Sequence, residues 1–374
     1  MIIAYALAGE GRGHTTRAMS LAHRLEAHGH TVHFFTCGDA RDLLVERFGS
    51  DRVHELPTPR FVIGHRGISY IRTGLASLRF FAHHRRRVKN TVRTLSELGA
   101  DVLISDFEPT FGPAARRLNA PFIAFNSQRF VLDADLSQVL NRRQRVKLLP
   151  VRIMCRLFAR KPDLSIVSKG FNLQPNKPNA HLVGPMLRDA FHPGAWQPAG
   201  THVLAYLRAS VLHHLPAMAE HARQHGMVVK LYGHHPTHPV DNVECCPISN
   251  DGFIRDLLSA DWMYQTAGTQ LLGEVASVGV PSLCFPEPGQ VEQEINGVLA
   301  SHAYTNVTVM PRRGVTVGNL NAALQATLAR PRVVVHDNGA DAAASLVVAF
   351  MNAQSASLLP LSPSSRPSHS QSML

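Results

Sequence analysis

Short apolar runs alternate with amphipathic segments along most of the chain. Residues 2–8 are almost wholly apolar, a glycine-rich turn follows them, and residues 14–28 carry apolar side chains at helical spacing. Residues 31–36 then form a second apolar run. A strand, a helix and a strand in about 35 residues predict a βαβ unit with parallel strands, because parallel neighbours need a crossover between them.

The same alternation continues in two consecutive series. In the first series, strands are predicted at residues 53–56, 101–105, 121–125, 164–167 and 181–183, and a helix at 114–118. In the second series, strands are predicted at residues 201–206, 227–232, 262–264 and 281–285, and helices at 215–225, 254–259, 270–278, 291–302, 317–329 and 341–352. The pattern predicts an α/β protein with two Rossmann-like, doubly wound parallel-sheet domains that face a central cleft.

Domain boundaries follow from the segments that lack this periodicity. Residues 185–200 are rich in Pro and Gly and are predicted to link an N-terminal domain, residues 1–184, to a C-terminal domain, residues 201–353. Residues 354–374 are rich in Ser and Pro and are predicted to be a disordered tail. Ligands of open parallel sheets bind beyond the carboxyl ends of the strands, so functional residues are expected in the loops after strands.

Composition excludes several classes of protein. The chain has 374 residues, of which 45% are apolar and 17% charged, which is typical of a two-domain globular protein and excludes disordered and collagen-like chains. Five irregularly spaced cysteines argue against a disulfide framework and a structural zinc site. No apolar run reaches the ~18 residues of a membrane span. The apolar start is predicted to be a buried strand rather than a signal peptide, which favours the cytoplasm.

Charge is distributed unevenly between the two halves. Residues 1–187 hold 28 Lys and Arg against 14 Asp and Glu, whereas residues 188–374 hold 10 against 13, within a net charge of +11. Two segments of the basic half, residues 78–89 and 141–161, mix cations with large apolar side chains. They fit basic helices with a buried apolar face, docking on an anionic membrane, or contact with nucleic acid.

The glycine-rich turn and the residue after it are the first candidates for chemistry. Gly9, Gly11 and Gly13 would let a ligand approach the backbone at the start of a helix, where free N–H groups favour negative charge. Their spacing is not that of a dinucleotide-binding loop. His14 follows at the mouth of the predicted cleft, where a neutral imidazole could remove a proton from a hydroxyl near pH 7. A helix cap or a packing residue is the structural alternative.

Asp106 ends a predicted strand of the same domain. A carboxylate there could orient His14 and stabilise its protonated form, and Glu108 is a weaker candidate of the same kind. The structural alternative is a carboxylate that caps a turn or a helix.

The segment of residues 264–300 carries the strongest signal. Gly268 and Thr269 open a predicted helix, so that its free N–H groups can bind a phosphate. Glu274 lies farther along that helix, and Gln293 and Asn296 are i, i+3 neighbours on the next one.

This segment resembles the nucleotide-sugar site of GT-B glycosyltransferases, in the group of the peptidoglycan N-acetylglucosaminyltransferase and the galactolipid synthases. The pattern of that group is G-G/T, E, G-x-P, P and E-Q-x-x-N-A, with Gly297 here in place of the final Ala. It is matched at Gly268, Thr269, Glu274, Gly279, Pro281, Pro286, Glu292, Gln293 and Asn296. The loop of residues 9–14 resembles the first loop of the same enzymes.

The resemblance implies a GT-B fold and transfer of a sugar from a UDP-sugar to a hydroxyl acceptor, with inversion at the anomeric carbon. It makes His14 the general base and Asp106 its supporting carboxylate, and it places Gly9, Gly11 and Gly13 near the acceptor or a phosphate. The implied donor-binding residues are Arg208, Ser210, Phe253, Ile254, Gly268, Thr269, Glu274, Glu292, Gln293 and Asn296. Within this set, Glu274 is expected to bind the ribose, Gly268 and Thr269 the diphosphate, and Gln293 the sugar.

The same resemblance implies which partners the protein has. Helix N-termini and side chains replace a metal ion in this family, so neither a metal nor a cofactor beyond the donor is expected. The histidine-rich residues 233–238 follow a predicted strand, and two prolines lie within or next to them, so they are predicted to form a solvated loop rather than a metal site. The acceptor is expected to be a small molecule or lipid-linked, which would place the enzyme in the cytoplasm with docking on the inner face of the membrane. Residues 8–10 and 207–210 depart from the family pattern and leave a nucleotide other than UDP open.

Three alternatives stay open from the sequence. A UDP-sugar 2-epimerase has the same architecture but needs several acidic groups, and only Asp106 and Glu108 follow strands of the first domain. A basic nucleic-acid-binding protein would need aromatic stacking platforms, whereas aromatic residues make up 7% of the chain. A nucleotide-sugar-binding protein without catalysis would be separated from an enzyme by the kinetics of His14→Ala.

Overall fold

The structure is a computed structural model that describes residues 1–9, 12–59, 63–64, 67–68, 77–78, 80–247, 249–333 and 337–358. The strands are β1 (Ile2–Leu7), β2 (Thr31–Thr36), β3 (Val53–Glu55), β4 (Ile63–Gly64), β5 (Gly67–Ile68), β6 (Val102–Asp106), β7 (Phe122–Phe125), β8 (Leu164–Ser168), β9 (Ala180–Val183), β10 (His202–Leu207), β11 (Val228–Gly233), β12 (Val243–Cys245), β13 (Met263–Gln265), β14 (Ser282–Cys284) and β15 (Val307–Val309).

The α-helices are α1 (Arg12–Ala27), α2 (Gly38–Phe48), α3 (His84–Leu98), α4 (Phe111–Leu118), α5 (Phe130–Asp133), α6 (Arg142–Lys147), α7 (Leu149–Phe158), α8 (Leu215–Gln224), α9 (Asn250–Ser259), α10 (Thr269–Val278), α11 (Val291–Ala303), α12 (Val317–Leu328) and α13 (Gly339–Leu358). Short 3-10 helices occupy Ser50–Arg52 and Ala209–His214.

Two parallel sheets organise the chain, as the apolar pattern predicts. The first has seven strands in the order β3-β2-β1-β6-β7-β8-β9, and the second has six in the order β12-β11-β10-β13-β14-β15. Strands β4 and β5 form a separate antiparallel pair. The predicted elements agree with the observed ones apart from their ends. The apolar pattern does not predict α2, α5, the pair β4 and β5, or the edge strands β12 and β15. Helices α3, α6 and α7 fall in or beside the two basic segments for which a helix was one of three alternatives.

Apolar side chains cover both faces of each sheet, as parallel sheets require. A further cluster joins the two domains. In it, Phe107, Phe130 and Phe158 of the first domain share a core with Leu272 and Tyr304 of the second. The domains therefore pack through apolar contacts on one side of the cleft.

The C-terminal helix corrects the predicted domain boundary. Its position in the chain predicts that it belongs to the C-terminal domain, but α13 packs against α1, β8 and β9 of the first domain. Ala340, Ala343 and Val347 join the core around Leu21 and Leu25, because the apolar stripe of α13 matches that of α1. The disorder predicted from residue 354 is also wrong for residues 354–358, which continue α13; residues 359–374 lie outside the described part.

The chain crosses between the domains twice, and the two crossings lie against each other. The N–H of Gly339 donates to the carbonyl of Pro185 at 2.8 Å, and the N–H of Leu187 donates to Oδ1 of Asn338 at 3.1 Å. A Cβ on Gly339 would collide with the carbonyl of Gly184.

Among the helices of the described residues, none is long and apolar enough to cross a membrane.

Replacing Gly339 by Ala should destabilise the protein by about 1–3 kcal/mol, because backbone rather than a flexible side chain would have to move. Gly318→Ala in α12 is the matched control. Its Cβ would meet only Oγ1 of Thr316, at 4.0 Å, so stability should be unchanged or rise by up to about 1 kcal/mol. Urea midpoints of the two variants measure the difference, and equal midpoints would contradict the prediction.

Candidate functional site

Both sheets reverse their strand order at a central pair of strands, and the predicted residues gather there. In the first sheet the pair is β1 and β6, and in the second it is β10 and β13. His14 lies in the helix after β1, and Asp106 is the last residue of β6. Arg208 follows β10, and Gly268 follows β13. Such reversal points are where open parallel sheets bind ligands.

His14 and Asp106 are hydrogen-bonded to each other. Nδ1 of His14 lies 2.9 Å from Oδ1 of Asp106. The carboxylate is fully buried, whereas the imidazole is 14% exposed. Nε2 of His14 has no hydrogen-bond partner among the residues that the structure describes. One ring nitrogen is therefore held, and the other is available to a ligand.

Arg17 completes this group, although it was not among the predicted site residues. Its Nε donates to Oδ2 of Asp106 at 3.0 Å, and its Nη2 donates to Oδ1 at 2.9 Å, both within the core. Burial by itself raises the pKa of Asp106, but Arg17 and His14 outweigh it and hold the pKa below the ordinary value. The available signal was the i, i+3 spacing, which puts Arg17 on the same helix face as His14.

Arg17 and Asp106 compete for the same nitrogen of His14. Nη2 of Arg17 lies 2.8 Å from Nδ1, about as close as the carboxylate. Nδ1 can donate a hydrogen bond to Asp106 or accept one from Arg17, but it cannot do both. In the first tautomer Nε2 keeps its lone pair, which is the form that a general base requires. Because Arg17 pairs with Asp106, the hydrogen bond of this carboxylate to His14 restricts the orientation of the ring more than it adds charge beside it.

The backbone after Asp106 is strained at this point. Phe107 has φ of 58°, a left-handed conformation that bulky residues rarely adopt. Its ring stacks on His14, with centroids 6.3 Å apart, and packs on Phe158 at 5.1 Å. Strain of this kind is typical of functional sites, where the surrounding structure holds it in place.

Glu108 caps a helix, which is the structural alternative to a role in catalysis. Its carboxylate accepts hydrogen bonds from the N–H groups of Thr110, at 2.6 Å, and Phe111, at 2.7 Å. These groups belong to the start of α4, so Glu108 caps that helix. Burial raises the pKa of Glu108 to about 7.

Glu274 is paired in the second half of the site. Arg188 of the interdomain segment donates Nε and Nη2 to its two carboxylate oxygens, both at 2.8 Å. Gln270 donates to the same carboxylate at 3.1 Å. Arg188 also contacts Asn250 at 2.6 Å and lies 5.9 Å from the ring of Phe253. Arg188 was not among the predicted site residues, because it lies in a segment predicted to be only a linker.

Two side-chain amides of α11 hydrogen-bond the loop that leads into α10. Nδ2 of Asn296 donates to the carbonyl of Ala267 at 2.9 Å and to Oγ1 of Thr269 at 3.0 Å. Oε1 of Gln293 accepts from the N–H groups of Ala267 and Glu287. Both side chains are buried, so they shape the loop rather than project from it. A Cβ on Gly268 would meet nothing within 4 Å, so open space lies beside this loop.

The other predicted donor residues lie around this loop or nearby. Arg208 is exposed, with Nε 3.9 Å from Oε2 of Glu287. Oγ of Ser210 is buried and has no hydrogen-bond partner among the described atoms. Phe253 packs edge-on against two tyrosines. Ile254 is half-buried on α9, and Glu292 is half-buried on α11.

The glycines of the first loop have different surroundings. A Cβ on Gly9 would lie 2.6 Å from the carbonyl of Cys37, so packing against that backbone already requires glycine there. Gly13 lies in the first turn of α1 with open space beside it. Gly11 lies outside the described residues. No group of three or more His, Cys, Asp or Glu side chains within the described part could hold a metal ion.

Comparisons with known proteins agree with this architecture. A family model described as Glycosyl transferase family 1 matches residues 1–309. An uncharacterized glycosyltransferase of Methanosarcina mazei is 25% identical over 326 residues, which are 80% of this chain and 83% of that protein.

Two solved structures extend the similarity to the fold. UGT89C1 of Arabidopsis thaliana, complexed with UDP, superposes with a TM-score of 0.65 at 13% identity, over 94% of this chain and 99% of that one. MurG of Acinetobacter baumannii superposes with a TM-score of 0.58 at 15% identity, over 93% and 100%. The predicted GT-B fold is thereby confirmed.

Replacement of Arg17 should destabilise the protein, because it leaves the buried charge of Asp106 without a cation. Because the pKa of Asp106 is lowered by folding, its contribution to stability is present above about pH 4 and is lost as the pH falls through the folded-state pKa. At pH 7, Arg17→Met should cost about 3–5 kcal/mol, since it leaves a buried carboxylate without its cation. The double variant Arg17→Met/Asp106→Asn should recover part of that loss.

Arg24→Met is the control on the same helix. Arg24 pairs with the exposed carboxylates Asp189 and Asp341, so its loss should cost less than about 1 kcal/mol. Urea denaturation measures all variants. Equal losses for Arg17→Met and Arg24→Met would refute the role given to the buried pair.

Proposed function

The chain belongs to the family described as Glycosyl transferase family 1, and on that premise we propose that it transfers a sugar from a UDP-sugar to a hydroxyl acceptor, with His14 as the general base. It is a glycosyltransferase with a GT-B fold. The matched family is one of glycosyltransferases, not of epimerases or nucleic-acid-binding proteins.

The hydrogen bond between His14 and Asp106 carries this proposal. It holds Nδ1 and leaves Nε2 at the carboxyl edge of the first sheet, where an acceptor hydroxyl would lie. In the proposed step, Nε2 takes the hydroxyl proton while the acceptor oxygen forms a bond to the anomeric carbon. The bond from that carbon to the nucleoside diphosphate breaks, and its electron pair leaves with the diphosphate oxygen. Attack opposite to the leaving group inverts the configuration.

The donor would bind along α10 and α11 of the second domain. The UDP complex of UGT89C1 supports a nucleoside diphosphate as the ligand of this fold. Glu274 has carboxylate oxygens that accept from Arg188 and Gln270 and retain capacity for a ribose hydroxyl. We propose that Arg188 orients Glu274 for this contact and that Phe253 flanks the base. No metal or further cofactor is part of the proposal, so activity should survive EDTA.

Replacement of His14 tests the base directly. UDP-glucose, UDP-galactose and UDP-N-acetylglucosamine would be screened against hydroxyl acceptors, with release of UDP as the signal. His14→Ala should lower kcat by roughly 10²- to 10⁴-fold, because proton removal is lost, while the Kd for UDP stays unchanged. His23→Ala on the exposed side of α1 is the matched control and should match the wild type.

The experiment tests the UDP-sugar donor and the general base separately. Wild-type protein that binds no UDP by calorimetry would exclude a UDP-sugar donor. Full turnover by His14→Ala would exclude His14 as the base while leaving the donor in place.

The exposed surface of helix α7 favours the proposal that the first domain binds an anionic membrane. Val151, Cys155 and Phe158 bury one face of this helix. A second apolar stripe is exposed: Leu149 is 53%, Ile153 48% and Leu157 66% accessible. A basic helix with one buried apolar face does not account for the second stripe. Exposed cations lie on α7 and on the segments next to it in the chain, namely Arg142, Arg143, Arg145, Arg152, Arg156 and Arg160. Apolar side chains mixed with cations are typical of interfacial helices.

Vesicle binding tests this contact. The triple variant Leu149→Gln/Ile153→Gln/Leu157→Gln should weaken co-sedimentation with vesicles of phosphatidylglycerol and phosphatidylcholine by roughly tenfold or more, because three apolar side chains lose their burial. Leu328→Gln, an equally exposed leucine of the second domain, should have no effect. Equal binding to pure phosphatidylcholine vesicles, or no binding to either kind, would exclude an anionic membrane.

A further inference from the structure

Lys169 brings a buried cation from the first domain to the phosphate loop of the second. It follows β8 directly, and its side chain is almost fully buried. Its Nζ donates to Oδ1 of Asn296 at 2.7 Å and to Oγ1 of Thr269 at 3.5 Å. It lies 3.8 Å from the centre of the Phe130 ring. The sequence analysis singled out Thr269 and Asn296, but not the lysine that joins them.

Within the described part of the chain, this ammonium group contacts no group of opposite charge. Among the residues that the structure describes, no carboxylate oxygen lies within 4.0 Å of Nζ. Burial lowers the pKa of Lys169 to about 8, so the group is still charged at pH 7. A buried charge without a counter-charge is costly, and proteins retain one where a ligand supplies the missing charge.

We propose that Lys169 binds the diphosphate of the donor and stabilises the negative charge that develops on it as the sugar departs. The inference rests on the proposed function and adds a catalytic residue from the opposite domain. Three features converge on one position: the Lys169 ammonium, the Thr269 hydroxyl and the N-terminus of α10 beside the open space at Gly268. The electron pair of the breaking bond moves to a diphosphate oxygen, which Lys169 would contact. A cation fixed in advance by Asn296 needs little reorganisation for this.

The titratable and charged groups around Lys169 set the expected pH dependence. Glu292 of α11 and Cys155 of α7 raise its pKa, whereas Arg17 of α1 lowers it. Burial also lowers the pKa and has a larger effect than any of these groups. A bound diphosphate would favour the protonated form and raise the pKa of Lys169. Wild-type protein should therefore take up protons when UDP binds near pH 8.5, and its affinity should fall as the pH rises further. A side chain that only joins the two domains would not cause proton uptake.

The experiment titrates uridine, UMP and UDP into wild-type protein, Lys169→Met and the exposed-lysine control Lys89→Met. Lys169→Met should weaken UDP binding by roughly tenfold or more, UMP binding less, and uridine binding not at all, because only the phosphates sense the charge. Lys89→Met should match the wild type for all three ligands. Thermal unfolding reports whether each variant is folded.

Lys169→Arg supplies a second test that does not depend on the methionine variant. It keeps a cation that does not titrate, so UDP binding should persist while proton uptake near pH 8.5 disappears; calorimetry in buffers of different ionisation enthalpy measures this. Equal losses for uridine and UDP in Lys169→Met, or unchanged proton uptake in Lys169→Arg, would overturn the assignment. Absence of UDP binding to the wild type would instead refute the proposed donor, and the assignment of Lys169 with it.

Discussion

Leu7 and Asp106 are register partners at the carboxyl ends of β1 and β6, and the rest of the first half-site depends on this pairing. It places a fully buried carboxylate next to the first turn of the helix that follows β1. A buried carboxylate needs a cation and hydrogen-bond donors, and α1 supplies both through Arg17 and His14 at i, i+3 spacing. The second sheet also reverses its strand order, at β10 and β13, so the two reversal points provide the two halves of the candidate site.

Two buried cations of the cleft have opposite electrostatic situations. Arg17 is neutralised within the protein by Asp106, and this pair restricts the orientation of His14. Lys169 contacts an amide, a hydroxyl and an aromatic ring, but no carboxylate of the described residues. The paired charge fits a role in holding a base in position. The unpaired charge fits a role in receiving an anion, and the two roles correspond to the two ends of a glycosyl transfer.

The interdomain segment does more than connect the sheets. Met186 joins the core of the first domain, while Leu187 and Phe191 join the core of the second. Between them in the chain, Arg188 reaches the carboxylate of Glu274. The returning crossing at Asn338 and Gly339 lies directly against this segment. Any change in the relative position of the domains would therefore act on the contact that orients the proposed ribose-binding residue.

The sequence by itself determined the repeated βαβ pattern, the strand end at Asp106, the helix start at His14, and the loop at Gly268, because periodicity and turn residues are local properties. It did not determine that α13 packs on the first sheet, nor that Gln293 and Glu108 are engaged by backbone N–H groups. It also did not reveal the cations. Arg17 meets Asp106 across 89 positions of the chain, Arg188 meets Glu274 across 86, and Lys169 meets Asn296 across 127. Only the tertiary structure decided these pairs, because the stability of a buried charge depends on which distant side chains the fold brings to it.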